Sequence, residues 1–214
     1  MSAHIVTGTD TGIGKTVFSA ALTGALQRKY GKARYWKPVQ AGIEELTDSE
    51  ALTQLAPGAL ILPEAYRLVT PASPHLAARI DEVKLDPARL ALPEGEGPLV
   101  VEGAGGALVP LIAPPEGEGL LYADLFARWA LPVVVVARTG LGTINHTLLT
   151  IEALRARKVA ITGIAFVGEP HEENEAVIPA LSGVPRLGRL PLLAEVTAQS
   201  LAQAFDEGFK DWTL

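Results

Sequence analysis

Three stretches of this chain place residues where they could bind and cleave a phosphate chain. Gly8 to Thr16 reads GTDTGIGKT, a glycine-containing loop that ends in Gly14-Lys15-Thr16. The backbone N–H groups of such a loop, and of the helix that opens from it, converge on an anion, and the helix dipole adds partial positive charge there. In this arrangement the lysine reaches the β- and γ-phosphates and the following hydroxyl ligates Mg²⁺. Those are the roles expected of Lys15 and Thr16, with Gly12, Ile13, Gly14 and Val17 wrapping the phosphates. The loop is a variant, because the strict pattern has a glycine where Thr9 stands and the glycine here is Gly8.

The second stretch is Lys37, which ends the strand candidate from Ala33 and precedes Pro38-Val39-Gln40-Ala41-Gly42. The third is Glu102, which ends Leu99-Val100-Val101 and is followed by Gly103-Ala104-Gly105-Gly106. A carboxylate at the end of an apolar strand, in a chain with a phosphate loop, is placed to hold Mg²⁺ or its water. The glycines after it let backbone approach a ligand closely. Asp48 is a further carboxylate candidate, although an Asp at that point also suits an N-cap. Together these groups point to bound ATP and Mg²⁺ with cleavage at the γ-phosphate. They leave the acceptor open.

Elements that alternate between strand and helix must position these residues. His4–Thr7 suits a strand and Val17 to Tyr30 a helix stopped by Gly31. Ala33–Lys37 suits a second strand, which puts Lys37 at the C-terminal edge where open α/β sheets bind ligands. A helix is expected from Thr47-Asp48 to about Pro57, then Pro-rich chain with a loop at Thr70 to His75 and short helices from Leu76 and Asp86. Pro110 to Gly119 reads as a loop and Leu120 to Ala130 as a helix. The run VVVV within Pro132–Ala137 suits a parallel strand covered on both faces. A helix follows to Arg157 with Thr143 as its N-cap, which makes a second anion site. Val159–Val167 and Arg186–Leu190 complete the strands, with helices at Glu172–Leu181 and Val196–Phe209. The expected architecture is a single α/β domain over residues 1–214, a mostly parallel, doubly wound sheet flanked by helices.

Composition excludes several functions. The 18 Lys and Arg against 24 Asp and Glu give a net charge of −6, and no stretch gathers cations into a stripe, so nucleic acid is not expected as a partner. There is no cysteine, hence no thiolate metal site and no Cys nucleophile. The four histidines at 4, 75, 146 and 171 lack metal-ligand spacing. No apolar run reaches the ~20 residues of a membrane span, and the N-terminus lacks a signal-peptide pattern, so a cytoplasmic location is expected.

The blocks GTDTGIGKT, KPVQAG, VEGAGG and LGTINHTLLT, in this order and spacing, closely resemble the dethiobiotin synthetase family, and TPASPH at Thr70 to His75 fits as well. The resemblance implies a P-loop NTPase-like fold with about seven strands, a homodimer, and the substrates 7,8-diaminononanoate, CO₂ and ATP. It implies that an amine of the substrate takes up CO₂ as a carbamate, that the carbamate attacks the γ-phosphate to give a carbamic–phosphoric anhydride, and that the second amine closes the ring. Carried onto matching positions, Lys15, Lys37 and Thr11 act on the reacting groups, and Thr16, Asp48 and Glu102 hold Mg²⁺. Spacing between the KPV block and the acid varies in the family, which leaves Glu50 as an alternative to Asp48. Gly103, Ala104 and Gly105 would line the nucleotide, and Pro191, Leu192 and Leu193 would lie against its base. The substrate's far carboxylate would sit on Gly142, Thr143, Ile144 and Asn145 of the partner subunit, with Ala41 and Gln40 as further substrate contacts.

Ala41 stands where many relatives have Thr or Ser, which moves one substrate hydrogen bond to Gln40 or removes it. Val167-Gly168 replaces an Asn that reads adenine in some relatives, and Gly12 replaces a bulkier residue. Two related classes fit less well. Cobyrinate and cobyric acid synthetases carry a Cys-dependent glutaminase, and partitioning-type ATPases have an extra lysine early in the loop, absent from positions 9–13.

Overall fold

The computed structural model describes residues 3–214. In chain order the elements are β1 (Ala3–Gly8), α1 (Lys15–Tyr30), β2 (Arg34–Trp36), β3 (Val39–Ala41), α2 (Asp48–Leu55), β4 (Leu60–Leu62), β5 (Tyr66–Leu68) and α3 (Pro74–Ile80). They continue as β6 (Leu99–Gly106), β7 (Pro110–Ile112), β8 (Leu120–Leu121), α4 (Tyr122–Trp129), β9 (Val133–Arg138), α5 (Thr143–Ala156), β10 (Ile161–Val167), α6 (Glu172–Ser182), β11 (Arg186–Leu190) and α7 (Ala198–Gly208).

Seven strands form one sheet in the order β11-β10-β9-β1-β6-β2-β4, with parallel pairing throughout. β1 lies at its centre; the chain passes from it to β2 and the edge strand β4, returns to β6 beside β1, and then crosses to β9 and winds outward through β10 to β11. The strand order therefore reverses beside the C-terminal end of β1, where ligands bind in open α/β sheets.

Strand periodicity sets the two layers. Along β9, Val133 and Val135 enter the core on one face, and Val134 and Val136 enter the core on the other, next to α1 and α7. All four are fully buried, each contributing about 2 kcal/mol. The same alternation puts Val101 on the α4 face and Val100 on the α1 face. Glu102, two residues after Val100, is therefore directed toward α1. That is why a strand-end carboxylate meets a hydroxyl from the first turn of α1.

Several boundaries differ from the sequence expectations. The strand expected over Ala33–Lys37 covers Arg34–Trp36, so Lys37 lies just beyond it, ahead of Pro38. The chain after Gly58, expected to be irregular, contributes β4 to the edge of the main sheet and β5 to a two-stranded pair with β3. The expected loop and helix start at Pro110–Leu121 contain the antiparallel pair β7–β8, which delays α4 to Tyr122. Thr143 is not the cap of α5. Gly142 takes that position with a left-handed φ of 89°, and Thr143 turns its hydroxyl back to donate to Arg138 O at 2.6 Å. Nor is Asp48 the cap of α2, because Thr47 is.

Candidate active site

The P-loop starts where β1 ends. Gly8 is enclosed, since a Cβ there would come within 2.6 Å of Ile13 Cδ1 and 2.9 Å of Lys15 Cδ. Gly14 has φ 96°, a left-handed conformation that turns the chain into α1. Lys15, 7% exposed, folds back over the loop and donates to Asp10 O at 2.6 Å. Burial and the charge of Lys37 lower its pKa to about 8.

Thr16, on the first turn of α1, donates its hydroxyl to Asp48 Oδ1 and lies 3.1 Å from Glu102 Oε1. Lys37 stands on the other side of the two carboxylates, 3.0 Å from Asp48 Oδ2 and 3.1 Å from Glu102 Oε1, and donates to Gly103 O at 2.9 Å. Burial alone would lower the Lys37 pKa, but Glu102 and Asp48 outweigh it and hold the ammonium above its ordinary value. Burial would likewise raise Asp48, and Lys37 and Thr16 reverse that effect, so the carboxyl sits below its usual range. The choice between Asp48 and Glu50 has a geometric basis. Thr47 and Glu50 form a reciprocal capping box, with Thr47 N–H donating to Glu50 Oε2 at 2.8 Å and Glu50 N–H to Thr47 Oγ1 at 3.3 Å. Glu50 is thereby held at the helix start, while Asp48, one position past the cap, faces Thr16.

These groups close one end of a cleft of about 630 Å³. It is lined by Thr11, Gly12, Gly14, Lys15, Thr16 and Val17 from the loop and α1, by Lys37, Gln40, Ala41 and Asp48, and by Glu102, Ala104 and Gly105. The expected Thr11 hydroxyl lies at the mouth, 3.4 Å from where a Cβ on Gly105 would be. Gln40 donates its amide to Ala41 O at 3.3 Å and to Gly42 O at 3.1 Å, and accepts from Asp48 N–H at 3.4 Å. Its side chain brackets the loop between β3 and α2.

Not all expected residues reach the cleft. Ile13 is 3% exposed and packs beneath the loop. Gly103 offers its carbonyl to Lys37 and backs onto Phe126. Pro191 and Leu192 are exposed, while Leu193 packs in the apolar cluster that includes Val17 and Val167. Gly142–Asn145 do not line the cleft. They lead into His146 and Leu149, which border a separate hollow with Thr9, Asp10 and Leu108.

Conversely, Pro71, Ala72, Ser73 and Pro74 form a wall of the cleft facing Val39 and Ala41. Their signal was the TPASPH block, which carried no individual assignments. Tyr35 and Arg138 were missed as neighbours of the site. Tyr35 donates to Glu102 Oε2 at 3.0 Å, and Arg138 donates to Thr11 O at 3.2 Å. Arg138 ends the VVVVA strand at the same sheet edge as Lys37, a position that could have identified it.

The oxygen set of Thr16, Asp48 and Glu102 fits Mg²⁺, a hard cation that takes one or two carboxylates and completes its octahedron with water and phosphate oxygens. Among the described residues no group of three or more His, Cys, Asp or Glu could hold a metal by itself.

Residues 3–200 match the family model described as AAA domain. The chain is 62% identical over 207 residues to the ATP-dependent dethiobiotin synthetase BioD of Rhodopseudomonas palustris (strain HaA2), covering 96% of this chain and 92% of that protein. It is 61% identical over 212 residues to that of Novosphingobium aromaticivorans, covering 98% of both. The chain belongs to the dethiobiotin synthetase family. The seven-stranded parallel sheet that a dethiobiotin synthetase was expected to have is present. Its fold is shared with a ParA family ATPase from Chlorobium tepidum TLS, with a TM-score of 0.59 at 9% identity over 99% of this chain and 96% of that one. It is also shared with the cell division ATPase MinD of Pyrococcus furiosus, with a TM-score of 0.55 at 13% identity over 97% and 98%. At these identities the likeness is one of fold alone. No helix among the described residues is long and apolar enough to cross a membrane.

Proposed function

We propose that the protein is an ATP-dependent cyclo-ligase that converts 7,8-diaminononanoate and CO₂ to dethiobiotin, with release of ADP and phosphate. The observation that carries this reading is the meeting of Lys15, Lys37, Thr16, Asp48 and Glu102 at one end of one cleft, in a chain 62% identical to an ATP-dependent dethiobiotin synthetase.

In this reading one amine of the diamine adds to the carbon of CO₂ and loses a proton, giving a carbamate. A carbamate oxygen attacks the γ-phosphorus, and the bond to the ADP oxygen breaks. The second amine then attacks the carbamoyl carbon, phosphate departs with the bonding electrons, and loss of a proton completes the cyclic urea. The difficult encounter is anion with anion, so fixed positive charge must face both partners. Lys15 supplies it from the P-loop. Lys37 supplies it from the opposite wall, exchanging its carboxylate partners for carbamate and phosphate oxygens. Thr16, Asp48 and Glu102 are the groups that would hold Mg²⁺, which when bound neutralises charge on the transferring phosphoryl group. Thr11 borders the reacting groups, and Gln40 and Ala41 border the amine end of the substrate.

The far carboxylate of the diamine binds the N-terminal turn of α5, Gly142–Asn145, supplied by a second copy of the chain. This fits their separation from the cleft of their own chain and the exposed Leu108, Leu141 and Leu149 around that turn, an apolar surface suited to a partner. The test is an assay with the diamine, bicarbonate and Mg·ATP. Phosphate release should match dethiobiotin formed, and release indifferent to the diamine would remove the proposal.

A further inference from the structure

Glu102 is fully buried, and its two oxygens have different surroundings. Oε1 faces the cleft, with Thr16 Oγ1 and Lys37 Nζ each 3.1 Å away. Oε2 points back into the sheet, where Tyr35 Oη donates to it at 3.0 Å and is its one donor among the described residues. Tyr35 is itself fully buried in the core between the sheet and α1.

The register explains the contact. Tyr35 pairs with Val100 across β2 and β6, and Glu102 lies two residues further along on the same face. The separation is ~7 Å along the strand, a span that a phenol crosses and a shorter side chain does not. Val100, on the same face, packs in the same core as the ring, so the tyrosine cannot swing aside without opening that core. A carboxylate held from behind in this way has one oxygen committed to the core and the other turned toward Thr16 and Lys37.

We propose that Tyr35 is a positioning residue for the metal site: its hydroxyl pins Glu102 Oε2 and commits the carboxylate to engage Mg²⁺ through Oε1 alone, in the one orientation that also meets Thr16. This rests on the assignment of Thr16, Asp48 and Glu102 as the metal-holding groups. Groups behind metal ligands fix their orientation, and losing one weakens metal affinity about tenfold or more. In this chain the effect should be visible in binding itself, because without Tyr35 a fully buried anionic oxygen has no donor and the carboxylate must rotate toward Lys37 or the cleft.

The experiment measures Mn²⁺ binding to the ADP complex by electron paramagnetic resonance, alongside melting temperature and the Mg²⁺ dependence of turnover. It compares the natural protein, Tyr35→Phe, Glu102→Gln and the double variant. Tyr35→Phe should weaken Mn²⁺ binding and raise the Mg²⁺ concentration for half-maximal rate about tenfold, with the KM for the diamine unchanged. In the Glu102→Gln background the same change should have no further effect on Mn²⁺. If Glu102→Gln weakens Mn²⁺ binding but Tyr35→Phe does not, or does so equally in both backgrounds, the role of Tyr35 is overturned while the metal site stands. If Glu102→Gln leaves Mn²⁺ binding intact, the metal assignment fails and the role of Tyr35 fails with it. Should Tyr35→Phe not fold, the infrared difference spectrum of the natural protein on metal addition decides. The carboxylate bands lost in Glu102→Gln should show one-oxygen coordination, and a two-oxygen signature overturns the proposal.

Discussion

The ammonium of Lys37 lies 3.0 Å from Asp48 Oδ2, while the other oxygen of that carboxylate receives the Thr16 hydroxyl. With Glu102 Oε1 at 3.1 Å on the same ammonium, the protein holds an internal cation between the two carboxylates assigned to Mg²⁺. That ammonium offsets part of the carboxylate charge before any ligand arrives, which helps the buried Glu102 and the half-buried Asp48 to stay ionised in the free protein.

Replacing that cation should therefore have two separable effects. Lys37→Gln is expected to lower the rate of ring closure roughly a hundredfold, the loss of about 3 kcal/mol of transition-state stabilisation, while ATP still binds. It should also lower the melting temperature, because Asp48 and Glu102 are left facing each other. Mg·ATP should restore more stability to the variant than to the natural protein. Calorimetry with and without Mg·ATP checks the second effect and the coupled assay the first.

Gly14→Ala is expected to abolish nucleotide binding. At φ 96° an added side chain costs about 1–3 kcal/mol in backbone strain, and its Cβ would lie 2.8 Å from Val167 Cγ1. The loop must shift to accommodate it. Titration with a fluorescent ATP analogue should show no saturation, with a measurable drop in melting temperature.

The nucleotide base should be read loosely. Beside the loop, Gly168 N–H already donates to Leu190 O at 3.0 Å, and Gly168 O accepts from Arg189 at 3.0 Å. Val167 offers only methyl groups. With no polar side-chain atom on Val167 or Gly168, CTP and GTP should support turnover within roughly tenfold of ATP, as kcat/KM ratios will show.

Leu149→Glu places a charge on the exposed apolar surface beside the α5 turn and should give a monomer with little ring closure but ordinary ATP binding. Light scattering gives the mass. A fully active monomer would separate the far-carboxylate site from any second copy.

A structural ion pair far from the cleft predicts the acid response. Asp124 accepts from Arg157 Nε at 2.6 Å and from Leu121 N–H at 2.9 Å, and although burial opposes it, these partners hold the carboxyl below its ordinary value. A depressed folded-state value adds stability above the unfolded value of 3.8 and loses it as pH falls through the folded one. Asp124→Asn should melt slightly lower at neutral pH, by less than about 1 kcal/mol for a partly exposed pair. The difference should close as pH falls through the lowered folded-state value, in a pH series of melting curves.

The groups proposed for catalysis stood out in the sequence because their signals are local. A glycine loop before a helix, a lysine at a strand end and a carboxylate after three apolar residues each identify themselves within a few positions, and VVVV announced a strand buried on both faces. What was hidden depends on pairing across the sheet. β4 has three residues bounded by a glycine turn and Pro63, too few to show a period, and it becomes a strand only because β2 is there to pair with. Tyr35 reads as ordinary core until its register with Val100 shows that it reaches Glu102. Thr143 has the chemistry of an N-cap but gives its hydroxyl to Arg138 O, and the left-handed glycine before it takes the turn.

The bracket made by Gln40 has a further result. Its amide joins Gly42 O to Asp48 N–H, so both ends of the intervening loop are fixed by one side chain. Glu44, Glu45 and Leu46 hang outside, exposed to water. Residues could be added or removed there without moving Asp48 relative to Lys37. For protein engineering, this is the place beside the cleft where a peptide tag or a longer recognition loop could be grafted while the catalytic frame keeps its dimensions.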